Sequence, residues 1–226
     1  MKDISFLTKS YIAHRGLHNK IYPENSLGAF KNAIKKGYSI ECDIHVTKDK
    51  KVVVFHDNNL KRMTGCNKFI KDCTYEELKQ LRLNHSNYKI PLLSEVLKLV
   101  SGKVPLIIEL KFDSKVGVLE KEVTKLLDSY QGDFAVKSFS FFSVLWFLLY
   151  RKNYVRGQLL KNNKYFFMNL FTRPDFLSYN IHNLNNNKKV QTFRKRRIVL
   201  GYTVRTKEEL KKIKDKCDNY ICEDFI

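Results

Sequence analysis

The chain has 226 residues, 43% apolar and 29% charged, with 42 Lys and Arg against 23 Asp and Glu for a formal net charge of +19. That length suits one α/β domain around a single large core, and the apolar share excludes an extensively disordered chain. The five cysteines, Cys42, Cys66, Cys73, Cys217 and Cys222, are odd in number and show no CxxC or zinc spacing, which excludes a disulfide framework and fits reduced thiols in the cytoplasm.

In chain order, MKDISFLTKSYIAHRG lacks the continuous apolar core of a secretory signal and leads into a predicted strand over 11–15. An amphipathic helix over 26–37 follows, with Ser26 as N-cap and Gly37 as its stop. SIECDI (39–44) is the second strand. Residues 45–104 exceed a normal strand-to-helix connection and read as an insertion after it, holding a strand-like run VVVFHD (52–57) and helical stretches over 74–82 and 92–100. Strands then recur over 105–111, 134–139, 155–160, 176–181, 198–204 and 220–224, with helices over 116–130 and 207–216, the latter capped by Thr206. Eight strands alternating with helices predict one (β/α)8 barrel spanning 1–226. The ending CEDFI (222–226) leaves no room for a final helix. FFSVLWFLLY (141–150), closed by Arg151 and Lys152, is too short for the roughly 20 residues of a spanning helix and reads as buried or partly lipid-facing.

The positive charge is spread along the chain, and only Lys188, Lys189, Arg194, Lys195, Arg196 and Arg197 concentrate it locally. A solvated basic helix face accounts for that cluster. No zinc finger or RNP-like aromatic run accompanies it, so no nucleic-acid partner is expected. Weak association with a membrane surface stays open, and the sequence does not set the oligomeric state.

The chemistry lies in two strands with charged residues two apart. Successive strand side chains alternate faces, so Glu41 and Asp43 share one side of their strand, and Glu109 and Lys111 one side of theirs. Ile40, Cys42 and Ile44, with Leu106, Ile108 and Leu110, form the opposite, core-packed faces. Three carboxylates aimed at one interior repel and lose hydration, at a cost of several kcal/mol per ion unless a cation compensates. Oxygen ligands of this kind suit one divalent cation, Mg²⁺ or Ca²⁺. His14 and Arg15 close the first strand and His56 closes the run in the insertion, so imidazoles and basic groups are expected at the same carboxyl-terminal rim. His45 reads as facing away from Glu41 and Asp43, and Glu24 and Asn25 as ordering the loop after the first strand, Asn25 also as a candidate cap.

AHRG (13–16), YPENSLGAF (22–30), ECDIHVTKDKKVVVFHD (41–57), IELK (108–111) and KSF (137–139) resemble, in that order, the motif series of the glycerophosphodiester phosphodiesterases. The resemblance implies a TIM barrel that hydrolyses glycerophosphodiesters to sn-glycerol 3-phosphate and an alcohol. By motif position it implies His14 and His56 as the acid/base pair, Glu41, Asp43 and Glu109 as metal ligands, and Arg15 and Lys111 as the phosphate-holding groups. It also suggests that Phe139, Gln158, Asn180 and Tyr202 lie near the rim as a substrate pocket. Tyr202 stands where relatives often carry Trp, and Arg205 where a smaller polar residue is common. Two other readings compete: a phospholipase D-like or sphingomyelinase D-like phosphotransferase releasing a cyclic phosphate, and a non-catalytic barrel that binds anions or membranes.

Overall fold

A computed structural model describes residues 2–112, 115–185 and 187–223. Eight parallel strands close on themselves: β1 (Ile12–Ala13), β2 (Ser39–Val46), β4 (Leu106–Leu110), β5 (Phe134–Ser138), β6 (Val155–Leu160), β7 (Phe176–Asn180), β8 (Ile198–Val204) and β9 (Asn219–Cys222), with β1 paired to both β2 and β9. The ninth strand, β3 (Val52–Val54), runs antiparallel to the end of β2 and is not a stave of the barrel. Helices α1 (Leu27–Lys35), α4 (Leu93–Val100), α5 (Val118–Leu127), α6 (Phe141–Tyr150), α7 (Asn169–Thr172), α8 (Lys188–Arg194) and α9 (Lys207–Ile213) lie between staves, while the one-turn α2 (Lys61–Thr64) and α3 (Tyr75–Leu78) belong to the insertion after β2. The eight-stave barrel agrees with the sequence reading.

Local chemistry explains the boundaries. Ser26 accepts from the Ala29 N–H at the start of α1, Thr206 caps α9 through Glu209, and Gly37, at φ 68°, ends the first helix. The stretch predicted helical over 74–82 supplies only α3, because Thr74 and Glu77 cap its first turn while Asn84 and His85 soon adopt left-handed backbone. β1 is shorter than the 11–15 expected. The Gly16 N–H turns back to the Ala13 carbonyl, and Arg15 takes φ 55°, so His14 and Arg15 sit in a tight turn at the strand's end. Gly16 itself stands at φ 78°, and a Cβ there would meet the Phe30 ring at 2.8 Å. The last expected strand included Asp224, which lies outside the described residues.

Burial follows the alternation. Ile40, Cys42, Ile44, Leu106, Ile108 and Leu110 pack outward against the helices with Phe30, Val96, Val100 and Val123. The opposite face of these strands, which carries Glu41, Asp43 and Glu109, points into the barrel. Its lower layer is apolar, with Ile12, Ile107, Ala135, Val155, Phe176, Leu200 and Ile221 packed on Phe6 and Leu7. Above that floor, toward the carboxyl ends, the interior turns charged.

Candidate active site

Ladder register brings the charges together. Asp43 on β2 pairs with Glu109 on β4, and Glu109 with Lys137 on β5, so the three share one level of the interior on consecutive staves. Glu41 lies two residues below Asp43 on the same face. Ligand atoms of Glu41, Asp43 and Glu109 fall within 4.8 Å of one another, and all three residues are buried.

Each acid meets a cation. Lys111 Nζ donates to Glu109 Oε1 at 2.5 Å and lies 2.8 Å from Asp43 Oδ1. Lys137 Nζ is 2.8 Å from Glu41 Oε1 and 3.4 Å from Glu109 Oε2, and Arg15 Nε is 3.5 Å from Asp43 Oδ2. Burial alone would raise the Glu41 carboxyl, yet Lys137 holds it below the ordinary range. Burial works the same way on Asp43, and Lys111, His56 and Arg15 outweigh it, leaving that acid ionised. Conversely, burial pulls the Lys111 and Lys137 ammoniums down, but the facing carboxylates raise both above their usual value.

The donor set suits a hard cation. All of its ligand atoms are carboxylate oxygens, and Glu41 Oε1 and Asp43 Oδ1 are buried without hydrogen-bond geometry to any partner, meeting their lysines only as ion pairs. The sequence assigned no role to Lys137. Reading FAVKSF in register with SIECDI would have aimed it into the same layer.

Both motif histidines are held by a carboxylate that an arginine anchors. His14 Nδ1 donates to Glu223 Oε1 at 2.5 Å, and Glu223 accepts from Arg205 Nε at 3.0 Å. His56 Nδ1 donates to Asp57 Oδ1 at 2.6 Å, and Asp57 accepts from Arg62 at 2.6 Å. A carboxylate only accepts, so each Nδ1 carries the proton and each Nε2 is left for other work. The His14 Nε2 stands 4.0 Å from Glu41 Oε2. Burial lowers His56, with Asp43 only partly offsetting it, so the ring is neutral near pH 7. Burial pushes Glu223 up, but the His14 contact wins and holds it at about 2; Asp57 sits at about 2 by the same contest, with Arg62 and His56 prevailing. Glu223, Arg205, Asp57 and Arg62 received no role from the sequence, and Arg205, noted only as unusual, proves to anchor Glu223.

The loop after β1 completes this wall. Arg15 donates through Nη1 to Glu24 Oε1 at 2.8 Å and through its backbone N–H to Glu41 Oε2 at 3.1 Å. Glu24 also accepts from both Arg62 Nη atoms. Asn25 is not the helix cap, a role Ser26 fills; at φ 56° its Nδ2 donates to Asp43 Oδ2 at 3.0 Å. His45 corrects another expectation. Residues two apart share a face, so it belongs with Glu41 and Asp43, and its Nε2 lies 3.2 Å from the His56 carbonyl oxygen.

The later staves contribute neutral groups. Phe139, half exposed, meets Tyr202 edge to face at 6.2 Å. Gln158 is fully buried and donates from Nε2 to the Ser138 carbonyl at 2.9 Å. Asn180 turns its side chain to the His182 N–H. The Tyr202 hydroxyl is buried without a hydrogen-bond partner, and burial, then Glu109, raises its pKa.

Residues 14–225 match the model of the glycerophosphoryl diester phosphodiesterase family. A glycerophosphodiester phosphodiesterase of Bacillus altitudinis is 37% identical over 135 residues, 55% of this chain and 54% of that protein. The chain spans about half the length of the curated relatives it matches. Among solved structures, a glycerophosphodiester phosphodiesterase from Thermotoga maritima has a TM-score of 0.80 at 28% identity, covering 94% of both chains. A phosphodiesterase of Oleispira antarctica, solved with the product sn-glycerol-3-phosphate, shares the fold with a TM-score of 0.85 at 22% identity, over 97% of this chain and 94% of that one. On a family match that runs through every motif of the site, the chain belongs to the glycerophosphoryl diester phosphodiesterase family.

Proposed function

We propose that this chain hydrolyses glycerophosphodiesters to sn-glycerol 3-phosphate and an alcohol, with His14 and His56 as acid and base. The carrying observation is the convergence of buried Glu41, Asp43 and Glu109 within 4.8 Å, beside two histidines each held by its own carboxylate. Glu41, Asp43 and Glu109 would hold one Mg²⁺ or Ca²⁺, which, when bound, supplies charge neutralisation for the phosphate and acidifies a coordinated hydroxyl. Arg15 and Lys111 face the same space and would hold the phosphate's remaining oxygens. His56, neutral near pH 7, is suited to accept the proton of the glycerol 2-hydroxyl as that oxygen attacks phosphorus. His14, held through Nδ1 by Glu223, would protonate the departing alcohol from a protonated Nε2. Water then opens the cyclic phosphate with the two rings exchanging roles, each acid/base contribution being worth about 10²- to 10⁴-fold. Phe139, Gln158, Asn180 and Tyr202 would border the leaving group.

All five cysteines are free, which supports a cytoplasmic setting, and no helix among the described residues is long and apolar enough to cross a membrane. The net charge of +19 supports a weak association with membrane surfaces. The chemistry is tested by incubating the protein with several glycerophosphodiesters, with and without chelator, and following products by phosphorus NMR. Metal-dependent glycerol 3-phosphate is the expected result. Accumulating cyclic phosphate would make the protein a phosphotransferase, and no turnover with any metal would refute the reading.

A further inference from the structure

Most of the exposed large apolar side chains among the described residues gather on one flank of the barrel. Helix α6 is apolar around its whole circumference yet buries only Ser143, Val144 and Phe147. Phe142 is left 66% exposed, and Leu149 and Tyr150 60% each. Beside α6, the crossover from β6 to β7 holds only a 3-10 turn, Phe166–Met168, and the four-residue α7. This short crossover cannot cover the gap a full helix would fill. It opens a groove of about 690 Å³ against α8 and leaves Phe167, Leu170 and Phe171 standing 57%, 75% and 61% exposed. The surface is continuous: α6 packs on α7, Phe141 meets Tyr165 edge to face at 5.7 Å, and Phe166 meets Phe193 of α8 at 6.4 Å. Arg173, Lys189, Arg196 and Arg197 line the groove's polar edge.

We infer that the α6–α8 flank docks on an anionic phospholipid bilayer, with Phe167, Leu170 and Phe171 entering the headgroup region and the basic edge pairing with lipid phosphates. An exposed apolar patch of this kind marks a contact surface. Its charge selects the partner. Every copy of the chain carries a net charge of +19, so apposing two such flanks would crowd like charges, whereas an anionic leaflet complements them. Aromatic and aliphatic tips beside arginine and lysine are also what holds a protein in a membrane interface. Ser140 caps the start of α6, next to Phe139 at the carboxyl end of β5, so docking here would set the barrel mouth beside the lipid surface. The inference rests on the membrane-surface reading and is independent of the phosphodiester chemistry.

Cosedimentation of the full chain with phosphatidylcholine vesicles, with and without phosphatidylglycerol, tests it. Binding is expected only with phosphatidylglycerol, weakened about tenfold or more in an F167S/L170S/F171S variant, and made less salt-sensitive in K189Q/R196Q. The only tryptophan, Trp146, lies on this flank, so its emission in the parent protein should shift to the blue on the same vesicles. Parent-like binding by the triple variant, or bound protein with unchanged Trp146 emission, would overturn the flank while sparing a diffuse charge attraction. No vesicle binding at all would remove the membrane reading as well, with hydrolysis scored separately. A dimer in sedimentation equilibrium that the triple variant dissolves would assign the flank to a second copy instead.

Discussion

Staves β1, β2, β4 and β5 and staves β6, β7 and β8 line one barrel with opposite chemistry. The first group buries Glu41, Asp43, Glu109, Lys111 and Lys137 in mutual contact, and the second presents Gln158, Ser178 and Tyr202, each with a buried polar atom lacking a hydrogen-bond partner. The contrast shows the difference in cost between the two kinds of group. An unpaired buried charge costs several kcal/mol, so ions enter this interior with counter-ions on the same stave or one or two staves away. A neutral hydroxyl or amide left unpaired costs about 1–3 kcal/mol, which a domain of this size tolerates at a few positions.

The sharpest way to break the comparison is at the charged staves and their histidines. His14→Ala and His56→Ala should each lower turnover by about 10²- to 10⁴-fold while calorimetry still shows divalent-cation binding. Wild-type turnover in either would remove that ring from the reaction. Next in size, Lys137→Met strips the cation from Glu41 and should cost about 3–5 kcal/mol, a fall in Tm on the order of 10 °C. Saturating Mg²⁺ or Ca²⁺ should restore part of that loss. An unchanged melting curve would mean the cage does not depend on mutual compensation.

Glu223 offers a smaller effect with a defined sign. Its carboxyl is held at about 2, below its ordinary value of 4.5. The stability this contributes is complete above about pH 4.5 and disappears as pH falls toward 2. In Glu223→Gln the stability curve between those values should therefore be shallower, by roughly 1 kcal/mol after solvent screening. Parallel acid limbs for variant and parent would contradict the pairing with His14. The smallest effect belongs to the neutral staves: Tyr202→Phe removes a hydroxyl without a partner and should leave stability unchanged or raise it by up to about 1 kcal/mol. A loss above about 2 kcal/mol in chemical denaturation would show that the hydroxyl is bonded after all.

Much of the site was legible because it is periodic. Glu41, Asp43 and Glu109 could be aimed inward from alternation alone, and the outward Ile40, Cys42 and Ile44 confirmed the phase. Lys137 escaped because its partners lie on other strands, and no single strand carries the register that sets Asp43, Glu109 and Lys137 level. The Arg205–Glu223–His14 and Arg62–Asp57–His56 chains were hidden for a related reason, since Arg205, Glu223, Asp57 and Arg62 reach the histidines from connections or turns outside the strands. Asn25 was read as ordering the loop after the first strand, and also as a candidate cap because Asx residues favour helix starts, but its left-handed backbone points it at Asp43.

By itself the sequence determined the alternation of strands and helices, the caps at Ser26 and Thr206, and the inward face of Glu41, Asp43 and Glu109, because these depend on neighbours a few positions apart. Only closure of the barrel decided which acids meet, which lysines neutralise them, which carboxylates steady the histidines, and where a shortened crossover leaves an apolar flank uncovered. Those outcomes depend on inter-strand register and on distances between residues as far apart as His14 and Glu223, which a local pattern does not encode.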